Sequence, residues 1–232
     1  MVPPSHRTRT AGAVEALLRD LGPELQRGGR LHEPPRRFAT AIPDIDRLLG
    51  GGFPRGRLSE LAGPVSSGRT SLALALLARI TRTGEVAAVV DAADGFDPAS
   101  AEAVGVLLDR VLWVRAPGLR EALRSAQHLL EVRGFALVLL NLAMPETRAA
   151  PAVWQRLARA AAGTETALLL LSLERLAGTA AAIALELKAK RARFRGTPPL
   201  LEAIQVEAAL VRHRSAPTGC AASVWLRADS AA

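Results

Sequence analysis

Nine residues, Gly63-Pro64-Val65-Ser66-Ser67-Gly68-Arg69-Thr70-Ser71, constrain this chain more than any other stretch. Their spacing is that of a phosphate-binding loop, G-x-x-x-x-G-K-[ST], with arginine where lysine is expected. Glycines in such a loop let successive backbone N–H groups curl around an anion at a helix N-terminus. The loop therefore requires a strand before it and a helix after it. The flanks comply. Arg57–Ala62 reads as a strand, and Ser67–Thr81 as a helix that buries Leu72, Leu74, Leu76 and Leu77. Gly63, Ser66, Ser67, Gly68, Thr70 and Ser71 keep the loop pattern. Arg69 keeps the charge but changes the shape, because guanidinium is a wide planar fork and ammonium a compact point charge.

From there strands and helices alternate. Glu85–Asp91, Val111–Arg115, Phe135–Leu142 and Ala167–Leu173 read as strands, and Pro98–Val104, Leu119–Arg133 and Ala152–Ala162 as helices. Continuous apolar strands between helices predict a parallel sheet covered on both faces. The tail differs: Leu185–Phe194, Ile204–Arg214 and Ala221–Leu226 are strand-like with no helices between them. They extend the sheet antiparallel, with a turn at Pro217-Thr218-Gly219. The expected architecture is an α/β core over residues 37–232. It is preceded by an arm over 1–36: ten disordered residues, a helix over Ala11–Gln26 and a polar linker, Arg27–Arg37, carrying Gly28-Gly29 and Pro34-Pro35.

Composition excludes several classes. One cysteine, Cys220, rules out a disulfide framework, and four scattered histidines show no ligand spacing. No apolar run is long enough for a membrane span, and the N-terminus carries no secretory pattern. A cytoplasmic protein is expected. The net charge of +8 comes almost entirely from arginine, Lys188 and Lys190 being the sole lysines. Two readings stay open: a polyanionic partner, or a solvated surface under arginine-biased codon usage. Aromatics at 3% with no tyrosine argue against a base-stacking platform.

Several blocks, in order, resemble the RecA recombinase core over residues 40–228. Leu49-Gly50-Gly51-Gly52-Phe53-Pro54-Arg55-Gly56 is similar to that family's lead-in, and Gly63–Thr70 to its G-P-x-S-S-G-K-T loop. Asp91–Pro98 followed by Gly105-Val106 resembles its second strand and helix, and Val211-Arg212-His213-Arg214 its late V-K-x-K hairpin. The resemblance implies an ATPase scaffold, and the departures fall on the chemistry. The family's water-activating glutamate is matched by Ala93, with Asp94 beside it. The aspartate that holds Mg²⁺ through water is matched by Asn141. The polar N-Q switch after the fifth strand is absent from Ser172-Leu173-Glu174-Arg175, and both DNA-binding loops are cut down. Phosphoryl transfer depends on positioning and electrostatics, so these replacements imply a degenerate ATPase with ATP and Mg²⁺ binding weak or lost.

This pattern, without a counterpart of the family's C-terminal domain, resembles ImuA. The members of that group are RecA-like accessory proteins of DNA-damage-inducible mutagenesis cassettes. The resemblance implies a non-catalytic role in SOS translesion synthesis. The implied partners are RecA, an ImuB-like inactive Y-family polymerase relative and an error-prone replicative-type polymerase, with DNA as a further candidate. Two other functions stay open: a DNA-dependent ATPase of the recombinase class, and an inhibitor or cap of RecA filaments.

Arg212 and Arg214 lie two apart on an expected strand, hence on one face. They read as a solvated edge pair, or as cations reaching a neighbouring protomer's ATP, as the resemblance implies. The run Lys188, Lys190, Arg191, Arg193 and Arg195 reads as DNA-backbone contact, or as one polar strand face with Leu185 and Leu187 inward. Trp113, Trp154 and Trp225 read as packing residues, and Trp225 is the best candidate for a protein-contact anchor.

Overall fold

The fold, a computed structural model, is described over residues 36–145 and 147–227. The expected arm helix at Ala11–Gln26 lies outside the described residues, as does most of the expected linker. Among the described residues there are ten strands: β1 (Arg37–Phe38), β2 (Phe53–Pro54), β3 (Leu58–Ala62), β4 (Val86–Asp91), β5 (Val111–Arg115), β6 (Phe135–Leu142), β7 (Ala167–Ser172), β8 (Ile183–Arg195), β9 (Leu200–His213) and β10 (Ala221–Arg227). The same residues form five α-helices: α1 (Pro43–Leu48), α2 (Arg69–Arg82), α3 (Pro98–Ala103), α4 (Leu119–Glu131) and α5 (Pro151–Thr164). Arg37, assigned to the linker by its polar surroundings, instead belongs to β1, which pairs antiparallel with β2. Its guanidinium donates to the carbonyls of Leu49 and Gly52 and closes the glycine-rich turn there. Such a two-residue strand is too short to leave a periodic signal.

The main sheet runs β10-β9-β8-β3-β7-β6-β4-β5. β3, β4, β5, β6, β7 and the start of β8 are parallel, and β9 and β10 return antiparallel. The architecture is therefore the expected one. The two-residue period is visible in the packing. Ala87 and Val89 of β4 enter one core with α2, while Ala88 and Val90 enter the other with α4 and α5. Leu72, Leu76 and Leu77 of α2 are fully buried, each worth about 1.5–3 kcal/mol relative to exposure. Pro98 sits in the first turn of α3, behind an Asp97 cap whose carboxylate accepts from the Ser100 amide at 2.9 Å. Among the described residues no helix is long and apolar enough to cross a membrane.

β8 is far longer than its parallel neighbour requires. Its last β3 partner is Glu186, paired with Ala62, and the nine-residue stretch beyond it, 187–195, faces β9 alone. The described part of β10 reaches Arg227, opposite Ala203. On its other side the β8–β9 hairpin continues past the end of β3 as an antiparallel pair.

Candidate functional site

β3 leads directly into the glycine loop. Ser66 and Gly68 both have positive φ, +59° and +91°, on either side of Ser67. The alternation makes a nest, a concavity of successive N–H groups suited to an anion. Gly68 cannot be replaced easily: a Cβ there would lie 2.7 Å from Val206 Cγ2 and 2.8 Å from Leu226 Cδ1. Gly63 is held as closely, since its Cβ would lie 2.4 Å from the Leu187 carbonyl oxygen. Thr70 and Ser71, at the start of α2, are exposed and line a cleft of about 600 Å³ with Arg79, Arg82, Ser100 and Trp225.

Arg69 does not reach out into that cleft. It is buried, its Nη1 donates to the Ser172 carbonyl at 2.5 Å, and its Nε lies 3.3 Å from Ser67 Oγ. Burial lowers its pKa from the ordinary arginine value. The guanidinium is thereby tethered to the C-terminal end of β7. Ser172 extends the network, its Oγ donating to Glu60 Oε1 at 3.4 Å. Glu60 Oε1 also accepts from the amides of Leu176 (2.5 Å) and Ala177 (3.2 Å). Its Oε2 is buried with no hydrogen-bond partner. Burial pushes the Glu60 carboxyl up, against the opposing pull of those amides, Arg175 and Ser172. Sequence reading passed over this residue. The available signal was a glutamate inside an apolar, doubly covered strand, Leu58-Ser59-Glu60-Leu61-Ala62.

The next strands bring the other expected positions to the same edge. Asp91 pairs in register with Asn141, and Asn141 with Leu171. Asn141 Nδ2 donates to Asp91 Oδ1 at 2.9 Å, and Asn141 Oδ1 accepts from the Ala143 amide at 3.2 Å. Asp91 also takes the amides of Ala93 (3.2 Å) and Phe96 (2.8 Å). Both residues are buried. The Asn141 side chain is therefore occupied on its donor and on its acceptor. Asp94 turns away to pair with Arg115 at 2.8 Å on the exposed surface. The loop, Ala93 and Asn141 all lie at the carboxyl ends of parallel strands, where open α/β sheets place their ligands.

Arg212 and Arg214 do not join this group. Along β9, Arg212 lies about 20 Å from Val206, the residue packed on Gly68, taking ~3.3 Å per residue. Arg212 donates to the carbonyls of Ala181 and Thr179 instead. Arg214 falls outside the strand, which ends at His213; its amide donates to the Ala182 carbonyl at 2.9 Å. β9 thus carries Arg212, and Arg214 lies in the bend that begins just beyond the strand.

This geometry is joined by sequence relationships. Residues 33–150 match the family model for the RecA N-terminal domain. The chain belongs to the RecA family. Protein RecA of Borrelia hermsii is 41% identical over 99 residues, 42% of this chain and 28% of that protein. Protein RecA of Gloeobacter violaceus is 47% identical over 87 residues, 36% of this chain and 24% of the relative. The matched segment thus spans under a third of these RecA proteins. The solved RadB recombinase superposes with a TM-score of 0.65 at 24% identity, covering 80% of this chain and 94% of RadB, which establishes the shared fold.

The remaining RecA-family expectation concerned the basic run. Leu185 and Leu187 are buried, while Lys188, Lys190, Arg191, Arg193 and Arg195 are exposed. Lys190 pairs with Glu207 at 3.0 Å, and the Arg193 guanidinium stacks over Trp225, 4.5 Å from the ring centroid. Trp154 is buried and Trp113 packs edge-on against Phe96 at 5.4 Å, so Trp225 is the exposed member of the three.

Proposed function

We propose that this RecA-family chain is a non-catalytic, ImuA-like accessory protein of DNA-damage-induced translesion synthesis. It acts in the cytoplasm by binding protein partners, with RecA, an ImuB-like inactive polymerase relative and the error-prone polymerase as the candidates, and DNA as a further ligand. The observation that carries the non-catalytic reading is the pair of internal bonds at Arg69 and Asn141. A phosphate-loop cation must face the phosphates to stabilise transferring charge, yet Arg69 bonds to the Ser172 carbonyl. A metal-site carboxylate must be free to hold hydrated Mg²⁺, yet position 141 is an amide spent on Asp91 and Ala143. Ala93 has no basic group to activate water. The anion nest fits a phosphate, but this donor set does not fit Mg-ATP in a reactive geometry.

The test is calorimetry with Mg-ATP alongside a turnover assay with single-stranded DNA. Weak or absent nucleotide binding and no DNA-stimulated hydrolysis are expected. A sub-micromolar affinity, or turnover stimulated by DNA, overturns the reading in favour of a working ATPase. Blocked RecA strand exchange at substoichiometric amounts selects a filament cap instead.

A further inference from the structure

A cavity of about 750 Å³ opens at the end of the sheet opposite the phosphate loop. The register fixes its place. The loop leaves β3 at Ala62, whereas His213 of β9 pairs with Ile183, which lies beside Ser59 near the start of β3. One wall is α1 with the glycine turn behind it, contributing Asp44, Arg47, Leu48 and Gly50. The other is the end of β9, the bend after it and the start of β10, contributing Leu210, His213, Pro217 and Ala222. Arg37 of β1 joins them. Pockets that take small molecules span roughly 300–1,000 Å³, with apolar walls and a few convergent polar groups.

The charge of this cavity is one-sided. Arg37 Nη1 donates to the carbonyls of Leu49 at 3.0 Å and Gly52 at 2.9 Å, two neutral acceptors. Burial lowers its pKa, yet an arginine stays charged in a protein. The single carboxylate among the described lining residues, Asp44, is already bonded to Arg47 at 2.7 Å on the exposed rim. His213 is the third basic group. Its Nδ1 accepts from the Ser215 amide at 3.2 Å. Burial holds its pKa down, the Arg37 charge adds to that, and the Leu49 carbonyl pulls the other way. The titratable and charged groups around the imidazole are thus Arg37 from β1, Asp44 and Arg47 from α1, and Cys220 from beyond the bend. Two arginines and a histidine meet one carboxylate.

We propose that this cavity binds a small organic anion, its carboxylate or phosphate head held by Arg37, Arg47 and His213 and its apolar body set against Leu48, Leu210 and Pro217. A guanidinium fork suits either head group, since both offer paired oxygens. A cationic ligand meets net repulsion here, and an uncharged one leaves the Arg37–His213 repulsion in place. An anion relieves it. The same attraction favours protonated His213, so a bound anion raises the histidine pKa and binds more tightly as pH falls through that value. The cavity shares no lining residue with the phosphate loop, so the inference is independent of the reading of that loop.

The test uses the full chain and three probes of similar shape: benzoate, phenyl phosphate and benzylamine. Cys220, the sole cysteine, is exposed at the cavity and reports occupancy through its alkylation by neutral iodoacetamide. NMR follows the His213 imidazole, assigned by its loss from the spectrum of His213→Asn. Ala216 is an exposed lining residue, so Ala216→Trp crowds the opening at little cost to the fold, which melting confirms. At least one of the two anions slows alkylation severalfold, raises the His213 pKa, and binds more tightly at pH 6 than at pH 8, while benzylamine does none of these. Ala216→Trp weakens that affinity by about tenfold or more. Binding of benzoate alone supports a carboxylate site, and of phenyl phosphate alone a phosphate site. No protection by either anion, equal protection by benzylamine, or an unmoved His213 overturns the inference. Binding that survives Ala216→Trp, with spectral shifts confined to the amides of Gly63–Thr70, assigns the anion to the phosphate loop and overturns it as well.

Discussion

Placing a carboxylate at position 141 is the intuitive way to build a metal site, and the structure argues that it damages the fold instead. Asn141 Nδ2 lies 2.9 Å from Asp91 Oδ1, and both side chains are buried. Asn141→Asp replaces that donor with a second acceptor and sets two carboxyl groups against each other. Two full charges at that separation repel by about 6 kcal/mol at an effective dielectric of ~20. The pair escapes the full cost by retaining one proton, as coupled carboxylate dyads do. The penalty at neutral pH then equals the cost of holding that proton, about 1.4 kcal/mol per unit of raised pKa, or ~3–5 kcal/mol in all. Its sign with pH follows. A carboxyl whose folded pKa is raised leaves stability intact below its unfolded pKa and removes it as pH climbs through the folded pKa. Urea denaturation of wild type, Asn141→Asp and Asn141→Ala at pH 5 and pH 7.5 measures this. Asn141→Ala removes the hydrogen bond without adding charge and loses about 1.5–3 kcal/mol at both pH values. Asn141→Asp loses more than Asn141→Ala at pH 7.5 and recovers much of the difference at pH 5. An Asn141→Asp variant as stable as wild type at pH 7.5, or one that gains Mg-ATP turnover, refutes the locked-pair account.

Two further outcomes follow from the buried network beneath the loop. Arg69→Lys gives no measurable ATP hydrolysis, because Ala93 and Asn141 remain. It also loosens the chain after β7, since an ammonium cannot reproduce the fork between Ser172 O and Ser67 Oγ; amide hydrogen exchange at Leu173–Ala177 should speed at least severalfold, and robust turnover or unchanged exchange would falsify the tether. Glu60→Gln tests the raised carboxyl: wild type loses the Glu60 contribution as pH rises above the ordinary glutamate range, so the melting temperature of the variant minus that of wild type should increase from pH 4.5 to pH 8, and a flat difference shows that Glu60 titrates normally.

The parallel sheet, its order of helices and its phosphate loop were legible because local physics dictates them. Apolar runs such as Phe135–Leu142 can only be strands buried on both faces, and the Gly63–Thr70 spacing can only serve a strand-to-helix turn. Both strands and loop formed where the residues indicate. What the side chains do there was a tertiary matter. Sequence places Arg69 in the loop, but its direction depends on Ser172, 103 positions away. It offers Asn141 as a neutral residue, while its role as a donor to Asp91 exists only because β4 and β6 lie side by side. Glu60 became part of the same network because β7 delivers Ser172 and the amides after it onto one oxygen. The β8–β9 hairpin shows the same division. The basic run at 188–195 is plain in the sequence, but a bulge and the strand register decide that Arg191, Arg193 and Trp225 share one face while Phe194 lies on the other. Short-range propensity fixes which backbone forms, whereas the partner of a polar or charged group is set by long-range packing that no local pattern encodes.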